Sequence, residues 1–325
     1  MRHTNSEEEV KFRLPLLAST KYLSAKSDNF GWLYDDKFVL SYLIDKKLLF
    51  RRMVFTCCLI HKKDNLTLED EKNFLNDVVD YVKKEDLCDF IYKPQSNVIF
   101  KTYPEGADVV RWGSYIVDLT QSKDELFNSF NQKHRGAIRK AIKENIKVST
   151  TQNIDEVYTL IKDTLDRQHS IHYPSLDYLN KLKKNLGDSV KFYISKKDNH
   201  LEGALVIIIN DDRALCMYAG SVKKPIRGSI NLLHYQAMLD MKELGVKIYD
   251  FVGARVDVDK ESKYYGIQVF KRKFTQKMEQ GYSFRVVIHP VKFKLFNLLA
   301  KTYLKANGYR YEDPIDSIGV IEKSS

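Results

Sequence analysis

Residues 245–274 read GVKIYDFVGARVDVDKESKYYGIQVFKRKF and hold the best candidates for chemistry in the chain. Apolar Val246, Ile248 and Phe251 predict a short buried strand that breaks at Gly253. A polar loop of Asp and Lys follows, then Gly266 and a helix-like run from Ile267 to Lys271. Asp250 stands at the strand end, where it would orient a donor or pair with a neighbouring lysine. Lys271 follows Phe270, whose ring would anchor the turn, and Gly266 would let the backbone come close to a ligand. A fixed ammonium suits a reaction in which a carbonyl oxygen becomes negative, because it stabilises that charge most where it is greatest. Arg272 and Lys273 beside it would add positive field. No Ser-His-Asp order, HExxH, EF-hand loop or Walker sequence occurs, so nucleophilic catalysis and metal chemistry have no motif behind them.

Composition bounds the setting. A chain of 325 residues, 43% hydrophobic and 30% charged, suits a globular protein of two ordinary domains. No apolar run approaches membrane-spanning length, and the densest, residues 204–209, is strand-sized. The opening MRHTNSEEEVKF lacks the apolar centre of a signal peptide. Four cysteines without CxxC or Cys/His spacing predict reduced structural thiols, a cytoplasmic chain and no metal. The net charge of +10 is concentrated: residues 260–311 carry +10 and residues 133–147 carry +5, leaving the rest near −5. Two basic segments on a mildly acidic body predict a polyanion partner, whether tRNA, a nucleotide diphosphate or an anionic membrane surface. The plainer alternative is solvated lysines.

Periodicity supplies the elements that must position these residues. Residues 1–20 read as a loosely held leader. Aromatic and β-branched runs at 30–34, 38–43 and 48–60 predict strands, and Thr67 opens a helix with acids in its first turn. A second domain begins with a strand at 115–119, after which Ser122 and Glu125 form a capping-box pattern. Leu126, Phe127, Phe130, His134, Ile138, Ala141 and Ile142 mark the inner face of that helix, with a break near Gly136. Arg135, Arg139 and Lys143 fall at i, i+4 and i+8, one outward basic stripe suited to RNA. Helices at 154–168 and 176–186, strands at 190–195, 203–209 and 213–219, and a helix at 229–244 complete the body. Residues 291–305 are amphipathic, with Lys292, Lys294, Lys301 and Lys305; they would pack on the body or dock peripherally on the inner membrane surface.

Tyr249-Asp250-Phe251-x-Gly253, followed by Gly266-Ile267-x-x-Phe270-Lys271-x-x-Phe274, resembles the C-terminal signature of the FemABX family. The likeness extends through residues 115–119 and the basic helix 135–141, and covers most of 118–282. It implies an aminoacyltransferase that takes an amino acid from charged tRNA to an amine on a peptidoglycan precursor, nucleotide- or lipid-linked, without a cofactor. It also implies that Lys271 sits beside the reacting ester, and that Lys26, ahead of Gly31 and Trp32, echoes a nucleotide-phosphate lysine. Gly253, Tyr218, Ser221, Arg227 and Tyr173 would bound the acceptor cleft. The order of elements resembles the acyl-CoA N-acyltransferase (GNAT) pattern, an α/β fold with a mixed sheet. Two such domains are implied, an incomplete one at 1–113 and a catalytic one at 114–290, with a helix and tail at 291–325. Arg227 and Gly228 match the start of a coenzyme A loop, but Ile230 stands where a second small residue is expected, which favours an aminoacyl-tRNA donor. Two rivals remain open: an acyl-CoA-dependent N-acyltransferase acting on an amino sugar of a surface polysaccharide, and a non-catalytic RNA- or membrane-binding protein.

Overall fold

Aromatic and β-branched residues between polar turns build the first sheet. The computed structural model describes residues 1–47, 49–170, 174–309 and 315–316, and these divide into two units. The first takes Met1–Gly113, Gly253–Val258 and the described residues from Gln280 onward. Its opening residues are not a loose leader. Strand β1 (Arg2–Thr4) pairs with β2 (Phe30–Tyr34), helix α1 (Glu7–Val10) buries Val10, and α2 (Thr20–Lys26) buries Tyr22 and Leu23. Each fully buried large apolar side chain contributes roughly 1.5–3 kcal/mol, enough to hold such short elements in place. Strands β3 (Phe38–Lys47), β4 (Phe50–Phe55) and β5 (Ile60–His61) follow. Helix α3 (Leu68–Lys84) starts at a capping box, the Thr67 hydroxyl accepting from the Asp70 N–H and the Asp70 carboxylate accepting from the Thr67 N–H. Its Phe74, Val78 and Val82 pack on Leu33, Phe38, Leu40 and Phe55 of the sheet. Strand β6 (Phe90–Ile91) lies parallel to β4, and β7 (Asp108–Asp118) begins in this unit and ends in the next.

The second unit comprises Ser114–Val252 and Asp259–Glu279. Ser122 and Glu125 form the expected capping box on α4 (Lys123–Ser129). The helix breaks at Phe130 and Asn131, not near Gly136: Phe130 is extended, and the Asn131 side chain accepts the Lys133 N–H to start α5 (Gln132–Lys143). The Phe130 ring, buried 5.1 Å from Phe274, fixes that break. Ile142, expected inside, is exposed. Strand β8 (Lys147–Thr150), helices α6 (Ile154–Arg167) and α7 (Leu176–Leu186), and strands β9 (Val190–Lys197), β10 (His200–Asn210) and β11 (Arg213–Ser221) follow. Helix α8 (Ser229–Glu243) returns the chain to β12 (Ile248–Asp250), parallel to β11 and antiparallel to β7. Across this unit the strands run β7, β12, β11, β10, β9, β8, a mixed sheet with helices as the GNAT pattern requires.

Strand β13 (Ala254–Arg255) belongs to the first unit, α9 (Lys263–Arg272) to the second, and β14 (Met278–Val287) passes from second to first. Residues 253–258 and 280–290, read from sequence as part of the second half, therefore lie with the first. The reason is pairing: Val286 and Val287 of β14 meet Ile91 and Phe90 of β6, and Phe284 and Val286 enter the first core. Helix α10 (Pro290–Ala306) joins the same unit through Phe293, packed on Phe50 and Phe90.

Asp89 ties that last helix down. Its buried carboxylate accepts from the Arg51 N–H at 2.7 Å and from Lys292 at 2.8 Å. Burial alone would raise its pKa, but the bonds from Lys292 and Arg51 prevail and hold it below the usual carboxylate range. A depressed folded-state pKa gives stability that is present above the unfolded value and lost as pH falls through the folded one. Asp89→Asn should cost on the order of 3 kcal/mol in urea unfolding at neutral pH. The gap from wild type should narrow as the solution is acidified.

Candidate active site

Strands β11 and β12 run side by side for only three pairs, ending at Leu215 and Asp250, after which β11 continues to Ser221. Two irregularities mark this point. In β11, Tyr218 faces Val206 and Cys216 faces Ile207, so Met217 is an extra residue, a β-bulge of the kind that re-aims side chains at strand ends. In the turn after β12, Val252 has φ 49° and Gly253 φ 68°. Glycine tolerates that region, whereas a β-branched residue there is a costly outlier.

Side chains hold the Val252 peptide from both sides. Asp250 Oδ1 accepts the Val252 N–H at 2.7 Å, and Lys271 Nζ donates to the Val252 carbonyl at 2.7 Å. Asp250 is buried and also accepts from the Ser114 hydroxyl and from Arg213 Nη1 at 2.8 Å. Arg213 in turn grips Glu279 with two bonds of 2.8 and 2.9 Å. Burial works against the Arg213 charge, but the Glu279 and Asp250 carboxylates outweigh it and keep the guanidinium protonated. Asp250 thus pairs with an arginine, and both of its oxygens accept hydrogen bonds within the protein.

Lys271 is half-buried, and burial pushes its pKa down to about 8 against the pull of Cys216 and Asp250. Helix α9 holds it through Phe270 and Phe274, whose rings lie 5.4 Å apart and pack on His134 and His234. Burial pushes His134 down to about 4 and His234 down to about 3, so both are neutral at pH 7. His134 Nε2 meets the Phe270 carbonyl at 3.1 Å, and His234 Nδ1 meets the Tyr249 hydroxyl at 2.8 Å. Burial pushes the Cys216 thiol up to about 11, too high for a nucleophile. The aromatic setting around the fixed Lys271 ammonium is apolar, and among its described neighbours no acid–base pair is poised near neutrality. Among the described residues no cluster of His, Cys, Asp and Glu is arranged to hold a metal.

The structure brings Lys271, Asp250 and Phe270 together, and adds Arg213, Ser114, Tyr249 and His234. A charged residue in each of two otherwise apolar strands, Asp250 in β12 and Arg213 in β11, was the available signal for that pair. Gly266 lies inside α9 with open space where its Cβ would be, so no close approach within the protein demands a glycine there. Gly253 does carry its left-handed backbone. Tyr218, half-buried on β11, sits edge-on to Tyr178 at 6.5 Å. Ser221 is bound to α6: its N–H donates to Thr164 Oγ1, and its carbonyl accepts from Thr164 and Arg167. Arg227 is exposed ahead of Gly228, where a Cβ would strike the Ala137 carbonyl at 2.0 Å, so that glycine serves the packing of α5 on α8. Lys26 lies in the first unit, 5.5 Å from the Tyr22 ring, with its pKa pushed down to about 8 by burial. Tyr173 lies outside the described residues.

The basic stripe of α5 is not uniform. Arg135 Nη1 donates to the carbonyls of Asn128 and Phe130 at 2.6 and 2.8 Å, closing the end of α4. Arg139 is exposed with its guanidinium 5.2 Å from the Phe127 ring, and Lys143 is exposed. Arg272 and Lys273, at the end of α9, are partly buried.

A model of the FemAB family matches residues 99–201 and 195–301. The crystal structure of FemX superposes with a TM-score of 0.64 at 16% identity, over 91% of this chain and 99% of that one. L-PGS from Bacillus licheniformis gives 0.53 at 13% identity, over 89% of this chain and 99% of that one. The C-terminal domain of a putative lysylphosphatidylglycerol synthetase from Agrobacterium fabrum gives 0.52 at 13% identity, over 82% and 87%. At such identities the likeness is one of fold. No curated protein matches the sequence.

Removing Arg213 while Asp250 stays buried leaves an uncompensated charge. Arg213→Met should therefore destabilise by about 3 kcal/mol in chemical denaturation. Combined with Asp250→Asn, the loss should fall well short of the sum of the single losses, because the two act as one unit. Additive losses would separate Asp250 from Arg213.

Proposed function

The chain belongs to the FemAB family of acyltransferases, and from that premise we propose that it moves an aminoacyl group from charged tRNA to an amine of a peptidoglycan precursor. The observation that carries the reading is the Lys271 ammonium, fixed at the Val252 carbonyl where β11 and β12 stop pairing. The acceptor nitrogen attacks the ester carbonyl, and the C–N bond forms as the carbonyl oxygen takes the negative charge. Lys271 stabilises that oxygen, with one of its three N–H donors committed to Val252. Collapse breaks the bond to the ribose oxygen, and the surplus proton of the amine ends on that leaving oxygen. Asp250, Ser114 and Arg213 act through the turn, holding Val252 so that Lys271 cannot drift. His134 and His234, neutral at pH 7, contribute an apolar wall instead of a proton. The direct test is to incubate the purified chain and an amine-bearing wall precursor with charged tRNA or with acyl-CoA. A mass shift is expected with charged tRNA; a shift with acyl-CoA alone would overturn the choice of donor.

Lys271→Met should lower kcat by on the order of a hundredfold, more than it raises KM. It should also destabilise modestly, since the Val252 carbonyl loses its donor. With its pKa near 8, Lys271 supplies charge below that value and loses it above, so wild-type kcat/KM should fall as pH rises through about 8. Lys271→Arg should restore part of the rate and move that limb to higher pH, because a guanidinium stays charged. Wild-type turnover in Lys271→Met would remove the residue from the chemistry.

For the RNA partner, Arg139 and Lys143 are the side chains of the α5 stripe best placed to meet phosphates. Arg139→Ala with Lys143→Ala should weaken tRNA binding and flatten its dependence on salt, leaving the melting temperature unchanged. Arg135→Ala should instead lower stability, because it uncaps α4.

A further inference from the structure

Helix α10 has two apolar faces, of which only one is covered. On the inner face Phe293 and Leu304 are buried, Phe293 against Phe50 and Phe90 with Phe296 alongside. On the other side Val291, Leu295, Leu298 and Leu299 are 81%, 48%, 62% and 43% exposed. At 3.6 residues per turn these four fall within an arc of about 100°, opposite the buried face. Lys294, Lys301 and Lys305, at i, i+7 and i+11, run along one border of that arc, and all three are exposed. The helix contains no acidic residue. The same unit exposes Leu49 as well, 86% exposed after Lys46 and Lys47 at the β3–β4 hairpin. Its neighbour Phe50 packs edge-on against Phe296 of α10, with ring centroids 5.4 Å apart.

An apolar stripe of this size on a charged chain marks a surface built to be covered. We propose that this face of α10, with Leu49, docks the chain on an anionic bilayer, the helix lying in the plane of the interface. The pattern is that of an interfacial helix: large aliphatic side chains reach the acyl boundary while a lysine row meets headgroup phosphates. Charge selects this occupant over a second copy of the chain, because α10 offers no carboxylate to meet the lysine row of a twin. Among the described residues no helix is long and apolar enough to cross a membrane, so the contact is peripheral. The inference stands on α10 and the hairpin and does not depend on the reaction proposed above.

The test is sedimentation of the full chain with vesicles of phosphatidylglycerol mixed into phosphatidylcholine, and with phosphatidylcholine alone. The protein should co-sediment with the anionic vesicles at low salt and only weakly with the neutral ones. Leu295→Asp with Leu298→Asp should abolish binding while leaving the melting temperature within a degree or two of wild type, since both side chains point away from Phe293. Replacing Lys294, Lys301 and Lys305 together by Gln should lower partitioning by on the order of a hundredfold. Failure of the wild type to bind anionic vesicles, or unchanged binding by either variant, would overturn the proposal. So would a dimer in light scattering that the paired aspartates split into monomers, which would make a second copy the occupant.

Discussion

The Val252 peptide is held at its N–H by Asp250, two residues back, and at its carbonyl by Lys271, nineteen residues on. A β-branched residue with φ 49° costs roughly 1–3 kcal/mol and persists only where its surroundings over-determine it. Here the surroundings form a chain of charge: Glu279 fixes Arg213, Arg213 and Ser114 fix Asp250, and Asp250 fixes the turn. The position of Lys271 is thus set by groups on β7, β11 and β14 as much as by its own helix. Strain in the turn and the fixed place of the Lys271 ammonium are two sides of one arrangement.

The neutral groups around that ammonium matter equally. Two imidazoles sit within the aromatic packing of Phe251, Phe270 and Phe274, and burial keeps them and the Cys216 thiol uncharged near neutral pH. Their neutrality removes competing charge and lowers the local dielectric, which strengthens whatever field Lys271 exerts. The bulge at Met217 lies just past the point where the β11–β12 ladder ends.

Sequence reading recovered the elements whose signals are local. Capping at Thr67 and Ser122, the helices at 176–186 and 229–244 and the three strands between them all depend on residues a few positions apart. It singled out Lys271 and Asp250 through the strand–loop–helix pattern, and both bond the Val252 peptide. It missed what depends on distant partners. Arg213 acquires meaning only through the parallel register that sets it near Asp250, and the break at Phe130 only through Phe274. The opening residues read as a leader because they are polar, yet β1 is held by strand pairing, which does not require apolar residues. Gly266 invited a functional reading that its position inside a helix does not support.

The chain passes between its two units four times, at residues 113–114, 252–253, 258–259 and 279–280. Neither unit is a continuous stretch, and this has a consequence during synthesis. Strand β6 has β4 on one side as soon as residue 91 has emerged, but its other edge must wait for β14, nearly two hundred residues later. Phe284 and Val286, which complete the core beneath α3, arrive with that strand. The nascent N-terminal half is therefore an open sheet with part of its core missing, the kind of species that exposes unpaired strand edges. Its first unit closes only once residue 287 has been made, so a ribosome that stalls before residue 280 leaves behind a fragment unable to finish folding.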